Sequence, residues 1–527
     1  MAGERILAVG PTAAVLRYRG PATRVLALDG GFVAPGFIDN HTHFQQAGAL
    51  ILGVNLLDVA DEPALIRRVR EARDRLPAGA WLTGGDWGAY EAWALGSTGT
   101  DSARARPAFE PDRAMIDSIT ADTPVLLSKW DRSLYLANAR ALVLAGASCA
   151  WDGVECGADG RATGRLSPTA AARVREVIPP KSLDQRLEEA RAALAQLRES
   201  GVTTIHDNTG PEALEVFRAL RAAGERTVRV YARPTLDRWH EDHRRGVESR
   251  RGDDWIRFGA LKGFVDGIMG NSSARFYEPY LTTGERGAWR PMMEPPGNML
   301  TLLLAADSAG LWPNVHAIGD EAIDTLIDLF EEVRRMNGPK PRRFRVIHTQ
   351  VLRGPDAARR MAELGLIAEV QPYHAIDDMR WMEQRIGPRA RWAYAFRTLQ
   401  RAGVRLSFGS DWPGTNASWY PCSPVLGIYA AVTRQTLDGR PPGGWYPEER
   451  VDVETALRAY TVNNAWAAGE ELVKGTITPG KLADLVVLDA DPFRVPPVRI
   501  KDIRVRYTIL GGRIVYPTGE PATRPSR

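Results

Sequence analysis

Cysteine is nearly absent from this chain: Cys149, Cys156 and Cys422 are all it has in 527 residues. Three cysteines cannot build a disulfide framework or a four-thiolate metal site. Their scarcity fits a reducing compartment. Long apolar runs are missing too. None approaches the roughly 18 residues that a membrane span needs, and the N-terminal segment lacks the apolar core of a secretory signal. A soluble, cytoplasmic protein without a membrane partner is expected. An excess of one charge is also lacking. The 68 Lys and Arg nearly balance the 64 Asp and Glu, leaving +4 spread along the chain. No dense basic patch argues for nucleic acid. Histidine is rare, with eight copies, so the places where it falls carry information.

What is present is globular: 44% hydrophobic and 25% charged residues, a normal composition for a packed core. At roughly 100–200 residues per domain, the length allows two to four domains, or one large domain with a satellite. From residue 201 onward, short apolar strands alternate with amphipathic helices. The helix expected over 183–200 places Leu183, Leu187, Ala190, Leu194 and Leu197 at steps of three and four, and Gly201 stops it. Strands are expected at 36–41, 202–206, 227–233, 256–265, 313–316, 344–350, 366–374 and 404–410. Helices lie between most of them, as parallel pairing requires. Eight strands of this kind predict an α/β fold, a TIM (β/α)8 barrel. The region 81–180, rich in Trp, Gly, Pro and Arg, reads as an insertion between the first and second strands. Both chain ends carry short β-like pieces, among them 6–9, 24–27, 485–488, 505–510 and 513–515. Together they predict a small composite β-sandwich domain. The expected division is 1–34 and 474–527 for that domain and 35–473 for the barrel.

Active sites of such barrels sit at the C-terminal ends of the strands. The first strand ends in His41 and His43. The fourth carries Lys262, the fifth ends at His316, the sixth at His348, and Asp411 follows the eighth. Side chains two apart on a strand point the same way, so His41 and His43 can reach one ion. An H-x-H pair alone is weak evidence. Two such histidines, a lysine, two more histidines and an aspartate, all at strand ends, are strong evidence for a metal centre.

The segments that carry these residues are APGFIDNHTH at 34–43, LKGFVDG at 261–267, HAIGD at 316–320, VIHTQ at 346–350, GSDWP at 409–413 and GTITPGKLADLVVLD at 475–489. With them the chain resembles the amidohydrolase superfamily over nearly its whole length, in the branch that includes N-substituted formamide deformylases. The resemblance implies one or two divalent ions, Zn²⁺ before Mn²⁺, Fe²⁺ or Ni²⁺. It implies that His41 and His43 hold the more buried ion, that Lys262 is carbamylated and bridges, and that His316 and His348 hold the second. Asp411 would bind metal and act as the catalytic proton shuttle for a metal-activated water. The implied reaction is hydrolysis of a non-peptide C–N bond in a small amide. Ester or lactone hydrolysis, decarboxylation or isomerisation on the same ligands is the alternative, and a scaffold without catalysis the remotest. The implied assembly is a homodimer and the implied partner a small-molecule substrate.

Outside the ligand set the residues leave alternatives open. His206, after the second strand, touches substrate or bonds inside the barrel. His374, at the end of the seventh, lines the pocket or packs. Asp320 caps a helix or orients a ligand histidine. Trp87 and Trp412 flank motif segments and offer apolar contact area, or pack the core. In KWDRSLYLAN at 129–138, the family's usual Asp-Gly-His is Asp131-Arg132-Ser133. Asp131 is a candidate contact. Arg132 offers a guanidinium to an anionic substrate group, or forms an ion pair.

Overall fold

A computed structural model of the chain describes residues 1–77, 79–88, 109–130, 132–244, 252–414 and 422–518. The chain divides into two units. The larger takes in Met1–His43, Leu194–Trp412 and Tyr420–Arg527; the smaller takes in Phe44–Ala193 and Pro413–Trp419.

The larger unit is α/β. The expected strands are present, but in two parallel sheets. One orders Ile256–Phe258, Arg229–Arg233, Val202–Asn208 and Phe37–Thr42. The other orders Ala260–Phe264, Trp312–Ala317, Arg345–His348, Ile367–Val370 and Arg405–Phe408. The strand expected over 256–265 is broken at Gly259 and contributes its first half to one sheet and its second half to the other. Pairs of backbone bonds join the sheets at both margins. Lys262 N–H donates to Pro234 O (2.8 Å) and Leu236 N–H to Lys262 O (2.8 Å); Asp411 N–H donates to His41 O (2.9 Å) and His43 N–H to Trp412 O (2.8 Å). Strands covered on both faces read as near-continuous buried runs, and Trp312–Ala317 is buried throughout.

The helices follow from side-chain periodicity and end signals. Asp320–Asn337 buries Ala322, Ile323, Leu326, Ile327, Phe330 and Val333, one face at steps of three and four. Its first turn is acidic and its last turn carries Arg334 and Arg335, which complements the helix dipole. The seventh strand is shorter than expected. It stops at Val370, and Pro372 opens a helix, Pro372–Asp378, that carries His374. Proline has no N–H for a ladder and its fixed φ suits a first helical turn, so His374 lies on a helix rather than at a strand end.

One antiparallel sheet takes strands from both ends of the chain: Phe32–Pro35, Leu485–Leu488, Val505–Leu510 and Arg513–Tyr516. It is a single four-stranded sheet, where a sandwich was expected. The pieces at 6–9 and 24–27 form no strand, although Arg5 bridges to Leu482 and Ile6 exchanges backbone bonds with Gly480 (2.8 Å) and Lys481 (2.9 Å). Arg229 grips Asp484 with Nε (2.7 Å) and a terminal nitrogen (3.0 Å), both residues being buried.

The smaller unit has a six-stranded sheet ordered Val54–Asn55, Leu82–Trp87, Val125–Lys129, Tyr135–Ala137, Ala162–Leu166 and Val154–Cys156. Leu56, Leu65, Val69, Trp87, Val125 and Leu127 share its core. Cys149 and Cys156 are joined by a disulfide, contrary to the reading of three reduced cysteines. Seven residues apart, they meet because consecutive turns, closed by Trp151 N–H to Ser148 O (2.9 Å) and Val154 N–H to Trp151 O (3.3 Å), fold the chain back between them. Among the described helices, none is long and apolar enough to cross a membrane.

Candidate metal centre

The ends of the first and eighth strands are drawn together by small residues and buried hydrogen bonds. Asp39 accepts from the amides of His41 (3.1 Å) and Ser410 (3.0 Å) and from the Ser410 hydroxyl (2.6 Å). Gly409 is required between them, because a Cβ there would lie 2.1 Å from Asn40 Oδ1. Asp411 therefore arrives beside His41 and His43 with its backbone in the left-handed region, φ +57°. His348 is held there too, at φ +72°. Such residues cost on the order of 1–3 kcal/mol and cluster at functional sites.

One nitrogen from each of His41 and His43 and one Asp411 oxygen lie within 4.8 Å of one another. Asp411 Oδ1 is 3.1 Å from His43 Nε2 and 3.4 Å from His41 Nε2. Two imidazole nitrogens and a carboxylate oxygen, converging in a buried corner, are donors that suit a divalent cation such as Zn²⁺. Burial, with Lys262 and Arg233 nearby, keeps the His41 imidazole well below its usual range, so it presents a neutral ring. Burial alone would raise Asp411. The His43 hydrogen bond and the charges of His43, His348 and His374 outweigh it and hold the carboxyl below the usual carboxylate range.

The other expected ligands surround this corner. The His316 and His348 rings meet edge to face at 4.5 Å, and His348 is 5.3 Å from the His41 ring. His316 Nε2 lies 2.8 Å from Gly267 O, and His348 Nδ1 lies 2.8 Å from Gln371 Oε1. Lys262 is buried beside Phe264, and burial, then Arg233, lowers its ammonium to about 7. The Asp266 carboxylate, four residues on, accepts from the amides of Arg275, Ile318 and Gly319.

The candidate substrate contacts are placed as follows. His206 is buried, with Nδ1 2.9 Å from an Arg345 nitrogen. His374 Nε2 lies 3.2 Å from Ser410 O, and burial lowers this imidazole to about 4. Trp412 is fully buried, its backbone bridged to Thr42. Asp320 accepts the Tyr277 amide (3.0 Å). In the smaller unit, Trp87 is in the core and Arg132 pairs with Asp86 at 2.5 Å. Asp131 lies outside the described residues.

Sequence reasoning missed three polar neighbours. Asn208 ends the second strand with Nδ2 3.2 Å from His41 Nε2 and 3.4 Å from His43 Nε2. Gln371 holds His348. Glu369 accepts from His41 Nδ1 at 2.8 Å. A lone carboxylate inside the apolar run LIAEV was the available signal for Glu369.

Beyond this corner, Asp378 is buried and accepts from Gln350 Nε2 (2.8 Å) and the Tyr394 hydroxyl. Burial pushes its carboxyl up to about 7, against roughly 3.9 in an unfolded chain. Between those values the folded state binds the extra proton, so stability falls as pH rises from about 4 to about 7. In Asp378→Asn the amide keeps one acceptor oxygen and has no charge to bury. Its unfolding midpoint should gain on wild type progressively as pH rises toward 7 and level off above it, in thermal melts across pH 5–8. A constant difference would contradict the assignment.

Comparison with known proteins places these observations. The model of the amidohydrolase family matches residues 24–516. "Protein LONG AFTER FAR-RED 3" of Arabidopsis thaliana is 30% identical over 97% of this chain and 87% of its own. The N-substituted formamide deformylase of Arthrobacter pascens is 27% identical over 98% and 94%. A crystal structure of an uncharacterized metal-dependent hydrolase from Pyrococcus furiosus superposes with a TM-score of 0.74 at 26% identity, over 94% of this chain and 95% of that one. The chain belongs to the amidohydrolase family and is a metal-dependent hydrolase.

Proposed function

We propose that this enzyme cleaves the C–N bond of a small N-substituted amide, with formamides the first class to test. The convergence of His41, His43 and Asp411 at the ends of the first and eighth strands carries the reading. In this reading the two parallel sheets form one (β/α)8 barrel whose C-terminal rim is the site, flanked by the composite domain of 1–34 and 474–527. His41, His43 and Asp411 would hold one divalent ion, Zn²⁺ by donor type. Lys262, as a carbamate, would join His316 and His348 around a second. A bound cation of this kind polarises the scissile carbonyl and makes water a nucleophile near neutral pH.

The remaining steps belong to the chain. Asp411, held unprotonated by its imidazole neighbours, takes the proton of the attacking water at a carboxylate oxygen. It then hands that proton to the departing nitrogen. Asp39 and Gly409 fix the backbone so that this carboxylate stays at the histidines. His374, 3.2 Å from the Ser410 carbonyl just before Asp411, would bear on which substituent is admitted. The resemblance to a formamide deformylase supports the substrate class.

The test is a chelator-stripped preparation assayed against N-substituted formamides, longer amides and matched esters, before and after Zn²⁺ is restored. Amide hydrolysis that vanishes on stripping and returns with Zn²⁺ is expected. Turnover of esters but of no amide would overturn the C–N assignment. Full activity after verified stripping would overturn the metal reading.

A further inference from the structure

Beneath the histidines lies a buried charge cluster that the mechanism above does not use. Glu369 sits on the seventh strand, fully buried. Its Oε1 accepts from an Arg233 nitrogen at 2.7 Å and from His41 Nδ1 at 2.8 Å. Its Oε2 accepts from an Arg345 nitrogen at 2.8 Å. Arg233 and Arg345 are also fully buried, on the third and sixth strands, and both reach His206, one at its carbonyl and one at Nδ1.

Such a cluster is a poor device for stability. Removing charges from water costs several kcal/mol per ion, and an apolar replacement of a whole buried set is often neutral or better. Its geometry points instead to orientation. Each Glu369 oxygen is held by its own guanidinium, so the carboxylate cannot rotate. A carboxylate only accepts, so the ring nitrogen facing it must carry the proton. The opposite nitrogen, Nε2, then presents its lone pair toward Asp411, 3.4 Å away. A neutral imidazole without such a partner exchanges between two tautomers, only one of which can ligate through Nε2.

We infer that Glu369, clamped by Arg233 and Arg345, is a positioning residue that fixes the His41 proton on Nδ1 and makes Nε2 its metal-binding atom. This rests on the reading of His41 as a metal ligand. Partners of this kind change metal affinity by about 10–100-fold when removed.

The first measurement needs no variant at Glu369. Two-bond ¹⁵N–¹H spectra of histidine-labelled, metal-free protein should show His41 as the Nδ1–H tautomer, its signals identified by their loss in His41→Asn. The Nε2–H tautomer would overturn the proposal. The second is the zinc affinity of the stripped full chain against a competing chelator. Glu369→Gln can turn an amide N–H toward His41, and it should bind zinc about 10–100-fold more weakly. The triple variant Glu369→Leu, Arg233→Met, Arg345→Met removes the whole charge set. It should melt no lower than wild type yet bind zinc as weakly as the single variant. Wild-type affinity in the triple variant would make the cluster structural and overturn the proposal. Wild-type affinity in Glu369→Gln would overturn it as well, while leaving His41 as a ligand. A wild-type chain that takes up no zinc would overturn the ligand reading and this inference together.

Discussion

Asp411→Asn is expected to lower kcat by roughly 10²–10⁴-fold, the range that a positioned acid–base group contributes. The variant should keep its fold, because the amide matches the carboxylate in size and the Asp411 backbone is tied to His41 by its own hydrogen bond. It should keep much of its metal too, since His41 and His43 remain. What it loses is the atom that takes the proton. The carboxyl is held below its usual range by the His43 bond and the neighbouring imidazoles, against the upward pull of burial. It is therefore an unprotonated acceptor at any pH where the enzyme would work, and an amide oxygen cannot replace it. The check pairs steady-state kinetics with metal analysis by plasma mass spectrometry. A near-normal kcat with metal present would remove Asp411 as the proton carrier. A lost kcat with lost metal would make it a ligand first.

Lys262→Ala is expected to halve the metal content, from about two ions per chain to about one, if the two-ion arrangement holds. An ammonium beside a cation site is repulsive, so the lysine has a place there only in another form. Burial and the Arg233 charge already weaken the ammonium, bringing it to about 7. Near neutrality much of the side chain is then the free amine, which can add CO₂ and release a proton to give an anionic carbamate. In the alanine variant the space left behind can admit a short carboxylic acid. Acetate or propionate should restore part of both metal and activity. Protein grown with zinc and bicarbonate gives the comparison. Full occupancy in the variant, without rescue, would count against bridging and favour a single-ion site.

The candidate ligands were legible as candidates because their residue types fell in local patterns. His41 and His43 were two apart on a strand, and His316, His348 and Asp411 each followed an apolar run. The helix over 320–337 was legible for the same reason, its apolar face repeating at steps of three and four. The seventh strand was misread because an apolar run does not announce its own end. Pro372 supplied that end by starting a helix. The pieces at 6–9 and 24–27 look like strands in isolation, but a strand needs a continued ladder, and the bonds of Ile6 to Gly480 and Lys481 are not carried on along the piece.

Local pattern thus determined which residues are candidates for the chemistry, since residue type and period survive without a partner. Tertiary structure alone decided which of them meet. Glu369 reaches His41 across 328 positions, and Asp411 reaches His43 across 368. Those contacts depend on the order of strands around the sheets and on a glycine that lets two of them close. Cys149 and Cys156 are close in sequence, yet it is the fold of the turns between them that brings their sulfurs together. Distances between side chains far apart in sequence are set by packing, and packing is a property of the whole chain.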